Sequence, residues 1–222
     1  MTALLRYRAA LLVRSQRWLA PVLLYAAFLA VGVRWGQPVL DSLGYAAAGL
    51  LPVTAWFVQV CTTPEPPAAR AVVAAATGSP RSHLASFLVA LGCAGPLGAA
   101  AVLAVLLISD PANTDHSVPV PLLPAAAAGL LAVGCCVLLG AAVGALCTRP
   151  VLRGRGWSVA ATVLAALLAL VTTGSPANSA VTGLVTGSRT GTVHLPLVPL
   201  LASAVLAAAV AVFTGRLTAL RG

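Results

Sequence analysis

The chain has 222 residues, 60% of them hydrophobic and 8% charged, and its mean hydropathy is +1.01. A soluble domain carries about 25% charged residues, so there is too little charge here to solvate a water-facing exterior. The apolar residues fall into blocks near the ~20 residues that a helix needs to cross hydrocarbon, and lipid is the main solvent this composition fits.

The net charge of +9 rests on thirteen arginines, with no lysine anywhere. A P-loop needs a lysine on the β- and γ-phosphates, so the chain cannot build a standard ATP-hydrolysing site, and energy from ATP has to arrive through another polypeptide. The arginines are scattered among apolar segments and form no single basic face, which argues against nucleic acid. The abundance of alanine fits the coding bias of a high-GC bacterium. Cys61, Cys93, Cys135, Cys136 and Cys147 lie in or at the ends of apolar segments, without zinc-site spacing or a disulfide framework. They read as small hydrophobes between helices.

In chain order, residues 2–17 hold too many arginines to span. At about 100° per residue Leu4, Leu5, Leu11 and Leu12 share one side of a helix, with Arg6, Arg14 and Arg17 opposite and Arg8 straying toward the apolar arc. This predicts a helix lying in the membrane surface with its arginines on lipid phosphates. As a signal-peptide n-region it would be unusually long, and further spans follow. Residues 18–35 form the first expected span, with Trp18 and Trp35 as interface anchors. The second covers 39–60, with Asp41 near its outer end.

The loop from Cys61 to His83 is the most informative. Thr63–Pro64 with Glu65 is a helix start, Ala68 to Thr77 is helix-forming, Gly78 stops it, and Ser79–Pro80 starts the next helix. One short helix is expected between two membrane helices. The third span covers 84–109, with Gly92, Gly95, Pro96 and Gly98 predicting a kink or close packing. A polar loop, Asp110 to Pro119, leads to the fourth span at 122–146. Its Gly140 and Gly144 have small-xxx-small spacing, read as packing within the chain. A basic loop with Arg149, Arg153 and Arg155 precedes the fifth span at 157–173. Residues 174–194 lack the apolar length to cross and are expected to form one or two short helices dipping into the outer leaflet. The sixth span covers 195–214.

With both ends in the cytoplasm, eleven arginines lie inside and two, Arg34 and Arg189, outside, a strong positive-inside bias. Asp41, Asp110 and Asp115 fall on the outer side. The expected fold is thus all-α and polytopic: six transmembrane helices, an N-terminal interfacial helix and a short cytoplasmic helix, in a bacterial cell membrane.

No span carries an ionisable residue near its middle, where such residues usually serve as relays; this argues against a proton-driven pump. His83, His116 and His194 are far apart, and no nucleophile–base pair or metal cluster is visible, so no catalytic residue, bound cofactor or metal is expected. His116 and His194 read as solvated loop residues and His83 as a residue of the cytoplasmic interface.

The run Glu65-Pro-Pro-Ala-Ala-Arg70, followed by Thr77-Gly78-Ser79-Pro80-Arg81-Ser82-His83-Leu84, carries a resemblance, together with the order of elements over the whole chain. The sequence resembles the type-2 ATP-binding-cassette exporter permeases, in texture the alanine-rich versions of actinomycetes. That family often has a glutamate, a short coupling helix, and a small-residue–proline turn with a basic residue before span three. The resemblance implies a separate ATPase that supplies the ATP chemistry, docked at Glu65, Arg70 and Arg81, and a second permease chain to complete a dimer. It also implies a re-entrant outer loop in which Arg189 meets lipid or an anionic substrate group. The plainer reading makes Glu65 a helix cap, Arg70 and Arg81 products of the positive-inside bias, and Arg189 a snorkelling arginine. The chain departs from the family pattern in lacking a second acidic residue in the coupling helix. A non-transporting scaffold or immunity protein, or an ATP-independent carrier, are the other readings of the same features.

Overall fold

The computed structural model describes residues 1–62, 73, 76, 78–148 and 155–221. Among these the regular structure is entirely helical: α1 (Thr2–Ser15), α2 (Leu19–Gly32), α3 (Val39–Thr62), α4 (Ser79–Ile108), α5 (Leu122–Leu146), α6 (Arg155–Val171), α7 (Pro176–Thr190) and α8 (Leu197–Arg221). Two isolated bridges, Pro38 with Asp110 and Ala112 with Pro119, are the only strand-like pairings among the described residues. Of the expected coupling helix, Val73 and Ala76 are described and both are helical; the rest lies outside the described residues.

Local chemistry explains the boundaries. Pro80 sits in the first turn of α4 and Pro176 in that of α7, where a missing N–H costs nothing and the fixed φ suits a helix. α7 ends at Gly191, whose φ of 73° is the left-handed cap conformation that glycine adopts without strain. α3 and α5 cover the residues expected for spans two and four, while α4 begins five residues ahead of the expected 84 and α8 runs past the expected 214.

α3 is the centre of the bundle. Leu43, Ala47, Leu50, Leu51, Thr54 and Val58 are fully buried along it, and it packs most extensively on α5, then on α4 and α7, with α2 and α6 at its flanks. The α3–α5 seam is a backbone-to-backbone approach. A Cβ at Gly144 would lie 2.7 Å from the Ala55 carbonyl oxygen, and one at Gly140 would collide with that of Leu51. The small-xxx-small pair therefore serves packing within the chain, as its spacing predicts. α4 is continuous for 30 residues through Pro96. Gly98 makes the close contact there, against Leu50 and Val133, whereas Gly92 and Gly95 face open space.

The six expected spans are not reproduced one for one. Four helices are long and apolar enough to cross a bilayer, Val39–Thr62, Arg81–Ile108, Leu122–Leu146 and Leu197–Leu217, and the bent pair α6–α7 makes a fifth. The first expected span, 18–35, holds α2, whose 14 residues rise ~21 Å against ~30 Å of hydrocarbon; with its flanking residues it joins the end where Arg8 meets Ser82 to the end where Val39 meets Asp110. α2 lies antiparallel on α3: the Tyr25 hydroxyl donates to Ala46 O at 2.9 Å, and Phe28 stacks on Tyr45 with ring centroids 4.2 Å apart.

The fifth span also differs. α6 stops at Val171, and α7 follows after a 48° bend. Thr162 of α6 is bonded to Gln59 near one end of α3, while Val181 and Leu184 of α7 flank Gly44 near the other. Those α3 levels are ~22 Å apart at 1.5 Å per residue, matching the helical rise from Thr162 to Val171 plus that from Pro176 to Val181. α6 and α7 thus follow one another along α3, with the break at residues 172–175 between the α3 levels of Gln59 and Gly44. Within 174–194, expected as one or two short helices, a single helix forms, α7, and it packs along α3, α5 and α8.

Candidate functional site

One end of the bundle gathers α1, the starts of α4 and α6, and the ends of α3, α5 and α8. Of the described arginines, Arg6, Arg14, Arg17, Arg81 and Arg216 are exposed there. α1 packs with Leu5, Arg8 and Leu12, spaced three and four apart so that they share a face. Arg8, the arginine that strays from the basic arc, is therefore buried at 6% exposure, and its Nη2 donates to Ser82 Oγ at 2.6 Å. A charged donor makes this a strong hydrogen bond, and it fastens α1 to the first turns of α4.

Next to Ser82, His83 Nε2 lies 2.9 Å from Thr214 Oγ1. Thr214 Oγ1 also lies 2.8 Å from Val210 O; with its proton on that carbonyl it accepts from an imidazole protonated on Nε2. The histidine thus ties α4 to α8. A third set ties α3 to α6 and α5. Gln59 Nε2 donates to Ser158 Oγ and to Thr162 Oγ1, while Ser158 Oγ donates to Cys147 O and Thr162 Oγ1 to Ser158 O. Each hydroxyl spends its proton on a carbonyl and accepts from the glutamine amide, which fits the amide's two donors. At this basic end the helices are thus joined by polar side chains.

Arg81 is exposed and, with Met1, Leu4 and Ala76, lines an open cleft of about 580 Å³ between α1 and the start of α4. Glu65 and Arg70 lie outside the described residues. Arg189 is at the opposite end of the bundle, exposed in the last turn of α7, where a cation is favoured by the helix dipole. The expected docking residues and Arg189 thus belong to separate surfaces.

That opposite end is held by Asn113. Its Oδ1 accepts from the Ser117 and Val118 amides at 2.8 and 3.1 Å, its own N–H donates to Val118 O, and the neighbouring Thr114 N–H donates to Ser188 O at 2.9 Å. Val39 N–H donates to Asp110 O and Asp110 N–H to Gln37 O, so the loop between α4 and α5 clips the α2–α3 hairpin to the end of α7. Asp110 and His116 form a loose exposed pair at 4.0 Å. His116 and His194 are both exposed, as loop residues should be, while His83 is half-buried.

All five cysteines are free thiols, four buried and Cys93 partly so, in the helix interfaces where their apolar surroundings place them. Among the described residues no three His, Cys, Asp or Glu side chains gather to hold a metal ion. Sequence reasoning overlooked Arg8, Ser82, Thr214, Gln59, Ser158 and Thr162 as tie points. The signals were an arginine off its arc and a glutamine inside an apolar run.

An all-helical body with four or five candidate crossings, exposed leucine and valine along α6 and α8, and polar ties at one end is a multi-pass membrane protein. Comparison with family models, curated proteins and solved structures finds no match to this chain.

Proposed function

We propose that the chain is the membrane-spanning permease subunit of an ATP-driven export system, with its ATPase on a separate polypeptide. The positive-inside rule then puts the basic end, and with it both termini, in the cytoplasm of a bacterial cell. The observation that carries the reading is the fastening of α1 to the first turns of α4 through Arg8 and Ser82, directly after the Glu65–Arg81 segment. A force applied to that segment reaches α4 at once, α1 through Arg8, and α8 through His83 and Thr214. The absence of lysine, and so of a P-loop of its own, leaves ATP chemistry to a partner. The exposed apolar faces leave room for a second permease chain as well as lipid. The resemblance to type-2 ATP-binding-cassette exporter permeases supplies the direction of transport.

The test is to purify the tagged chain from its native host in mild detergent, identify the proteins that come with it, and assay ATP hydrolysis. The expected result is a stoichiometric P-loop ATPase whose association is lost in Glu65→Arg and Arg70→Glu, with membrane insertion intact. A single chain free of ATPase, stable and still inserted, would move the reading to a scaffold, an immunity protein or an ATP-independent carrier.

A further inference from the structure

The break between α6 and α7 is exposed. Thr172, Thr173 and Gly174 face out of the bundle and Ser175 is half-buried, between the levels of Gln59 and Gly44 on α3. Gly174 has a φ of 96° with no atom within 4 Å of where its Cβ would be. Irregular backbone at membrane depth is not stable against lipid; it persists where protein buries it or where it lines water. Within this chain it is not buried.

A second observation lies on the same face. Along α7 the exposed Ser179, Thr182, Thr186 and Thr190 donate in turn to the carbonyls of Ser175, Asn178, Thr182 and Thr186. Each hydroxyl has spent its one proton inward, so its free lone pair points out as an acceptor. Gly183, within this row, leaves open space. The row continues through Thr190–Thr192 at 2.7 Å and Thr192–His194 at 3.4 Å to the end that carries Arg189. Beside it α6 is apolar and exposed at Val163, Leu164, Leu167, Leu168 and Val171.

We infer that the α6–α7 break and the hydroxyl face of α7 line a water-accessible furrow, open at the Arg189 end and reaching to mid-depth, whose wall accepts hydrogen bonds from water and from solute groups that donate them. It deepens the permease reading, and rests on it only in making the furrow part of the export path. Water access itself needs no ATPase.

Thr173→Cys, Thr182→Cys and Thr186→Cys are each placed in the native chain, and intact cells are treated with a membrane-impermeant cationic methanethiosulfonate. His116→Cys, exposed at the same end, shows which side the reagent reaches, and Leu201→Cys and Val205→Cys are the apolar references on α8. If His116→Cys reacts only in inverted vesicles, the same comparison is made there. Thiolates form only where water reaches, so the three threonine positions are expected to react at least about tenfold faster than the apolar references. Reaction of Thr173→Cys and Thr182→Cys no faster than Leu201→Cys overturns the furrow. So does oxidation of Thr182→Cys chains into disulfide-linked pairs, which would mean that a second copy covers this face. Either failure leaves the ATPase association untouched, and loss of that association leaves the labelling pattern untouched.

Discussion

Arg8 is turned inward on a helix whose other arginines point out, and Ser82 is the polar group that receives it. A hydrogen bond from a charged donor contributes about 1.5–3 kcal/mol, so Arg8→Ala should free α1 from α4. Trypsin added to inverted vesicles should then cut after Arg14 and Arg17 severalfold faster than in the native chain. Ser82→Ala should give a smaller change, because the guanidinium stays. Unchanged cleavage in both would mean that Leu5 and Leu12 alone hold α1. At the same end, burial pushes the Cys147 thiol up from its ordinary range. Since the thiolate is the reactive form, Cys147 should resist maleimide at pH 7, react faster as pH rises, and be modified at once after unfolding in detergent. Mass mapping of the labelled peptide reads this directly.

Between elements, the glycines of two helices differ in what they face. A side chain at Gly144 would strike the Ala55 carbonyl and Val58, and overpacking of this kind costs about 1–3 kcal/mol. Gly144→Leu should accordingly lower the unfolding temperature of the purified protein by several degrees. Gly92→Ala meets nothing within 4 Å and replaces a poor helix former, so it should raise stability by up to about 1 kcal/mol. Equal effects of the two changes would refute the α3–α5 seam. At the α6–α7 junction Asn178 Nδ2 donates to Leu170 O at 2.7 Å, satisfying a carbonyl at the end of α6 that has lost its helical partner. Asn178→Leu should loosen that junction, seen as faster amide exchange at residues 168–178 than in α3.

For the whole molecule, the question is which end faces which side. A reporter fused after His116 should be active only if exported, and one fused after Arg216 only if cytoplasmic; alkaline phosphatase and green fluorescent protein distinguish the two. The expected outcome is an exported 116 and a cytoplasmic 216, because the described arginines crowd the α1 end and Asp110 and Asp115 lie at the other. The reverse pattern would overturn the orientation and with it the cytoplasmic docking of an ATPase.

Much of the frame was legible without coordinates. Low charge and long apolar blocks called for lipid, and the Ser79–Pro80 and Ser175–Pro176 starts and the Gly191 stop marked helix ends, because solvation and capping act over a few neighbouring residues. The docking segment was legible only by resemblance, and Glu65 and Arg70 lie outside the described residues. What only the tertiary structure decided depends on long-range neighbours. Arg8 finds Ser82 across 74 residues and His83 finds Thr214 across 131, and no local pattern marks such partners. The same holds for the bent α6–α7 pair. α7 has too few apolar residues to enter a bilayer by itself, and its place beside α3 follows from burying Ala177, Ala180 and Leu184 against the bundle, while its hydroxyl face is left open.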